Sequence, residues 1–289
     1  MQAKTYHKTF LFILSIVILL FVSACAEKES ESLTPDRDVG ETLASTLGIQ
    51  PGGVFDQIAD LKDFLVYDTT RVGKTFAENH SSRYVTVNKT YDNSLGLWNI
   101  SIEKVRGSAS TVPFAHIVRR YTLQYRNTEG YAQKYYVTGL DTARIVMFRL
   151  QQASGEFKTR RIRHMLDSLD FSWSITEAHK PYVVLNGNYY KAGRDTISGW
   201  SRVRTSDHEA ALTLSNLIIP RTTQANFYQG ITGVITGSLD AVVNFISGTP
   251  YDETTIHRDA QIMIGSGKGD ITLGTKHFQA DLYTGELLD

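Results

Sequence analysis

The stretch Phe114-Ala-His-Ile-Val-Arg-Arg-Tyr-Thr-Leu-Gln-Tyr-Arg126, followed by Asn127-Thr-Glu-Gly130, decides the fold. Ile117, Tyr121, Leu123 and Tyr125 fall on one face of an alternating pattern, and His116, Arg120, Thr122, Gln124 and Arg126 on the other. A period of two is the pleat of a half-buried β-strand, because a helix with that pattern would scatter its apolar side chains around the whole cylinder. The polar, glycine-ended tetrapeptide then turns the chain into the segment Tyr131 to Thr138, which predicts a hairpin.

The same texture extends in both directions. Upstream, Arg83 to Tyr91 places Val85, Val87 and Tyr91 on one face, and Trp98, Ile100 and Ile102 line a face of the next segment. Downstream, strands are predicted over Ala143 to Gln151, Phe157 to Met165 and Phe171 to Glu177. Turns at Ala153-Ser-Gly-Glu156 and Asp167-Ser-Leu-Asp170 would separate them. After a break at His179-Lys180-Pro181, strands are predicted near 182–190, 196–205, 210–218, 230–246, 254–265, 269–274 and 276–283, with glycine-rich turns that include Asn186-Gly187 and Gly193. Fifteen Tyr, 13 Phe and 3 Trp suit strands better than a helical bundle.

The expected fold is therefore mainly β, with antiparallel meanders forming a sandwich or barrel. Two stacked β modules, residues 54–180 and 181–289, are an open variant. Only Val54, Phe55, Ile58, Leu61 and Leu65 recur at intervals of three and four, which predicts one short N-terminal helix capping an open end or edge of the sheet.

The amino terminus has a different character. Lys4, His7 and Lys8 precede the apolar run Phe10 to Val22, broken only by Ser15. That run is shorter than the ~20 residues of a membrane-spanning helix and has signal-peptide anatomy. Val22-Ser23-Ala24-Cys25 follows it directly, an aliphatic residue and two small ones before the sole cysteine of the chain. This segment resembles the lipobox of bacterial lipoproteins. The resemblance implies removal of residues 1–24, acylation of Cys25, palmitate among the attached chains, and a membrane as partner through that residue. Several acyl chains hold a bilayer stably where one, at ~0.8 kcal/mol per buried CH₂, does so only marginally. Ala26 lacks the aspartate of an inner-membrane retention signal, so the outer membrane of the cell envelope is expected, on either its periplasmic or its surface side. Glu27-Lys28-Glu29-Ser30-Glu31 is similar to the surface-export signal of Bacteroidota lipoproteins. Glu27, Glu29, Glu31, Asp36, Asp38 and Glu41 outnumber Lys28 and Arg37, and residues 25–53 read as a lipidated, acidic, flexible tether ending at Pro51-Gly52-Gly53.

Charge and motifs exclude more than they assign. With Lys4 and Lys8 gone, 28 basic side chains face 30 acidic ones, so no nucleic-acid partner is expected. One cysteine permits neither an intramolecular disulfide nor a thiolate metal site. Gly265-Ser-Gly-Lys-Gly269 has Ile262 and Gly269 where a phosphate loop needs glycine and a hydroxyl, and a strand follows it, so it reads as a hairpin turn. His80, His116, His164, His179, His208, His257 and His277 include no His-Glu-x-x-His pair and no two within four positions, which leaves only a chelate assembled across strands. No Gly-x-Ser-x-Gly elbow occurs.

Arg160, Arg161, Arg163 and His164, beside Arg119, Arg120 and Arg126, form either an anion-facing patch or a solvated sheet face paired with acids. Trp98, Trp173 and Trp200, with Tyr135, Tyr136, Tyr182, Tyr189 and Tyr190, serve core packing or stacking on a sugar or peptide, and alternation sends one member of each tyrosine pair outward. The residues thus favour a non-enzymatic binding or envelope-scaffold module with no catalytic residue, metal or cofactor. A glycan, a peptide or an envelope protein could each be its partner. The alternative is a surface glycan hydrolase whose carboxylates, Asp167 with Asp170 or Asp141 with Glu177, are brought together by the fold.

Overall fold

A computed structural model describes residues 35–65, 85–138, 141–198, 203–222, 224–245 and 253–288. Cys25, the export segment, the acidic stretch before Pro35, His80, the strand start at Arg83 and Trp200 lie outside the described residues. Two units are distinguished, Met1–Arg37 and Asp38–Asp289, and the architecture below is that of the second.

Two helices, α1 (Pro35–Leu47) and α2 (Val54–Phe64), precede the strands β1 (Val85–Asp92), β2 (Leu97–Arg106) and β3 (Phe114–Arg126). Three two-residue strands follow: β4 (Ala132–Gln133), β5 (Val137–Thr138) and β6 (Asp141–Thr142). The long strands are β7 (Ile145–Lys158), β8 (Ile162–Thr176), β9 (Tyr182–Ser198), β10 (Val203–Pro220), β11 (Thr232–Phe245) and β12 (Glu253–Gly265), after which come β13 (Lys268–Leu273), β14 (Lys276–Asp281) and β15 (Leu287–Leu288). Thirteen of these strands form one antiparallel sheet in which neighbours in space are almost always neighbours in sequence, from β1 at one edge to β15 at the other. β5 and β6 pair apart from it.

The sheet is single and unclosed, so the expected sandwich, barrel or stacked modules are corrected. The helices supply the second layer that a sandwich would draw from another sheet. Val54, Phe55, Ile58, Leu61 and Phe64 of α2, and Val39, Leu43 and Leu47 of α1, are buried in the same core as Tyr121, Phe148, Trp173, Leu212 and Ile235 of the strands. The sheet curls far enough for both of its ends to reach them: Asp56 of α2 meets Lys104 of β2, while Gly40 of α1 lies against Phe278 of β14 and Leu287 of β15. The loop between the helices is fastened near the carboxyl end, where Ile49 N donates to Leu282 O at 2.9 Å and Gln50 N to Tyr283 O at 2.8 Å. None of the described helices is long and apolar enough to cross a membrane.

The helix expected over 54–65 is present, but it lies on the sheet face instead of capping an edge, and α1 is a second helix within the stretch read as tether. Its acidic residues are compatible with burial because they are paired: Asp38 meets Arg204 at 2.7 Å and Glu41 meets Arg161 at 3.2 Å. The strands run longer than expected. Ala153–Glu156 lies within β7, Asp167–Asp170 within β8, and Asn186-Gly187 and Gly193 within β9. Register shifts at Leu166/Ser168 and Leu214/Leu217 absorb the irregularity without ending a strand. On β10 the shift moves the buried parity from Arg204, Ser206, His208, Ala210, Leu212 and Leu214 to Leu217 and Ile219. The break at His179-Lys180-Pro181 is the turn between β8 and β9, which pair over most of their length. Gly265–Gly269 is a hairpin turn as expected, with Ser266 at φ +52° and Gly267 at +76° joining β12 to β13.

Candidate functional site

The alternation that builds the strands also decides where the polar side chains go. Arg119 shares the parity of Ile117 and Tyr121, Lys191 and Asp195 that of Tyr189 and Ile197, and Arg204 and His208 that of Leu212. All of these polar residues are therefore carried beneath the helices. There Arg204 pairs with Asp38 of α1 and the others belong to two clusters, beside a separate apolar cavity.

The first cluster joins α2 to β2 and β3. Arg119 Nη1 donates to Asp56 Oδ2 at 2.6 Å and to Asp60 Oδ2 at 3.2 Å, Lys104 Nζ stands 3.0 Å from Asp56 Oδ1, and Arg106 also bonds Asp56. Lys104 pairs with Asp60, and the Tyr121 hydroxyl donates to Asp60 Oδ2 at 2.7 Å. Burial alone would raise the Asp56 pKa, but Arg106, Lys104 and Arg119 outweigh it and hold the carboxyl well below the usual carboxylate range. With both acids committed to cations, the cluster is a cross-brace for the helix.

The second cluster spans three adjacent strands. His164 of β8 lies directly opposite Asp195 of β9, and His208 of β10 sits two residues from the Asp195 partner Ser206. His164 Nδ1 is 2.7 Å from Asp195 Oδ1, His208 Nδ1 is 3.4 Å from Asp195 Oδ2, and Thr42 of α1 donates to Asp195 Oδ2 at 3.2 Å. Gly193 leaves the space the His164 ring occupies, since a Cβ there would collide with that ring and with the Met165 carbonyl oxygen. Burial, then Lys191, push His164 down to about 4 despite its Asp195 partner. Burial likewise lowers His208 and brings Lys191 to about 8. Burial would raise Asp195, but His208, His164 and Lys191 hold it at about 2.

The cavity, of about 510 Å³, is built where α2, the β8–β9 turn and the end of β10 converge. Ile58, Leu61, Lys62 and Leu65 follow the three- and four-residue spacing of a single helix face. Opposite them, Val183 of β9 pairs with Ile219 of β10, so both strands deliver an apolar side chain at the same level. Arg221 ties the walls together: its Nε donates to Leu65 O at 3.2 Å and its Nη1 to Lys180 O at 2.8 Å and Ala178 O at 3.1 Å. Lys62 Nζ donates to Gln224 O at 3.1 Å and lies 4.7 Å from the centre of the Phe227 ring. Among the described lining residues the ionisable side chains are Lys62, His179, Lys180 and Arg221, with no carboxylate. Apolar walls with a basic margin fit a small molecule that has an apolar body and an anionic head, and the volume lies within the usual ~300–1,000 Å³ of ligand pockets.

No family model, curated protein or solved structure matches the chain.

The residues singled out from sequence are dispersed. Asp167 and Asp170 are exposed on β8, Glu177 pairs with Lys180 at 2.8 Å, and the Asp141 side chain lies outside the described residues. Of the basic stripe, Arg160 and Arg120 are exposed, and Arg126 bonds Gln124 at 2.9 Å. Arg163 stands 3.8 Å from Glu156, whereas Arg119 is buried. Trp173, Tyr136 and Tyr189 are core residues, Trp98 is half-buried, and Tyr182 is exposed. Tyr190 and Tyr135 are the more accessible members of their pairs. His116 faces Glu103, His257 faces Asp240, and His277 is exposed. Among the described histidines, only His164 and His208 come together.

Proposed function

We propose that this chain is an outer-membrane lipoprotein, anchored through Cys25, whose β domain binds a small amphipathic anion such as a medium-chain carboxylate. The observation that carries the binding reading is the cavity of about 510 Å³ whose described lining joins apolar side chains to Lys62, His179, Lys180 and Arg221. The absence of a carboxylate among the described lining residues favours binding over glycan hydrolysis there, since hydrolysis needs a carboxyl pair about 5–9.5 Å apart. Apolar burial would supply affinity, and the cationic margin would select the head group.

Dodecanoate titrated calorimetrically into the purified chain is expected to bind, with dodecylammonium at least tenfold weaker. Leu61→Trp, which fills the cavity from α2, is expected to weaken dodecanoate at least tenfold with the far-UV circular dichroism unchanged. Equal binding of the ammonium, or unaltered affinity in the tryptophan variant, would refute the assignment. The anchor is tested separately: Cys25→Ser is expected to abolish palmitate incorporation and release the chain from sedimented membranes. Retention with normal processing would contradict it.

A further inference from the structure

We propose that His164, Asp195 and His208 form a binding site for one divalent transition-metal ion of the zinc type. The three residues stand on adjacent strands, and one ligand atom from each lies within 4.8 Å of the other two. Their donors, two imidazoles and a carboxylate, are those that zinc and its neighbours prefer at about 2.0–2.2 Å. All three are buried, and the pleat points them to one side of the sheet.

A second observation separates this cluster from an ordinary polar interior. Among the described residues, His164 Nε2 has no hydrogen-bond partner, and neither ring nitrogen of His208 meets one with hydrogen-bond geometry. Leaving a buried polar atom unpaired is costly, which is why such atoms are rare in folded proteins. A single cation can take one nitrogen from each of these two facing histidines, whose ring centres are 5.5 Å apart.

A void of about 20 Å³, roughly one water, lies against His164 and is also lined by Gly52, Arg119, Tyr189 and Lys191. Lys191 is the cation that would oppose the ion from β9, but its Nζ is directed to Thr46 Oγ1 at 3.4 Å and lies 5.5 Å from the centre of the Phe157 ring. Metal bound here would cross-link β8, β9 and β10 beneath α1, independently of the cavity.

The test is a titration of the chelator-treated, full-length mature chain with Zn²⁺ and Co²⁺, followed by calorimetry and by visible Co²⁺ absorption. One ion per chain is expected, at micromolar affinity or tighter, with a four-coordinate Co²⁺ spectrum and no competition from millimolar Mg²⁺. His208→Ala and Asp195→Asn are each expected to weaken Zn²⁺ at least tenfold. His257→Ala, at the exposed histidine beside Asp240 and Asp259, is expected to leave it unchanged. Absence of Zn²⁺ binding by the wild-type chain would overturn the proposal even if the buried variants fail to fold. A signal lost with His257→Ala would also overturn it, by assigning the ion to the surface.

Discussion

Replacing Asp56 by alanine is expected to destabilise the chain by about 3–5 kcal/mol, a large share of the ~5–15 kcal/mol that holds a typical domain folded. Asp56 is fully buried, and its two oxygens accept from or face Arg106, Lys104 and Arg119, which come from two strands. Without it, three cations are left beneath α2 with Asp60 as the remaining carboxylate of the brace. The loss therefore includes the cost of stranding charge away from water as well as the missing attraction. Urea unfolding followed by circular dichroism checks the magnitude. Asp207→Ala is the control, because its pair with Arg194 is more than half exposed on both sides and exposed pairs contribute only about 0–1 kcal/mol.

The pH dependence supplies a second signature. The Asp56 pKa is depressed on folding from 3.8, so the folded state binds fewer protons and its contribution is complete above that value. It is lost as pH falls through the lower folded value. The alanine variant should therefore lose stability less steeply below pH 3.8 than the wild type does. A variant within about 1 kcal/mol of wild type would mean that α2 is not braced in this way.

Trp173→Ala is the other large effect, expected at about 3–5 kcal/mol. The indole is fully buried, stacked on Phe171 with ring centres 4.1 Å apart and 6.1 Å from Phe148, so truncation opens a void among rigid neighbours that cannot collapse into it. Its Nε1 has no hydrogen-bond partner among the described residues. Trp173→Phe removes that unpaired donor together with part of the volume, and should cost clearly less than the alanine variant. Unfolding midpoints at constant m-value measure both substitutions. If phenylalanine were as damaging as alanine, the indole nitrogen would have to make a contact that this geometry lacks.

The strand faces were legible because alternation depends on side-chain chemistry alone. Ile117, Tyr121, Leu123 and Tyr125 are all buried on β3, as their parity requires. Strand length was not legible, because Ser-Gly and Asp-Ser pairs mark turns only when the chain has nothing to pair with. Here Ala153 of β7 lies opposite Arg119, and Ser168 of β8 opposite Ala192. Helix α1 was hidden by its acids, although Val39, Leu43 and Leu47 recur every four residues. Counting charge treated Asp38 and Glu41 as solvated, whereas arginines distant in sequence neutralise them. The buried ionisable groups were half legible. Parity places Arg119 inward, whereas Asp195 and His208 fall between the expected strands 182–190, 196–205 and 210–218, and only the strand registers bring those two together. The cavity left no local trace, because its walls come from a helix, a turn and a strand end far apart in the sequence.

The fastening of the inter-helix loop to Leu282 and Tyr283 bears on the order in which the molecule assembles. These hydrogen bonds join segments more than two hundred positions apart, so the elements that begin the domain acquire their final partners only when its last strands are in place. Such distant closure carries a high entropic barrier and slows folding relative to local pairing. Severing the carboxyl-terminal hairpin should therefore loosen the first helices as well as the last strands, making the fold a ring in its cooperativity although its sheet is open.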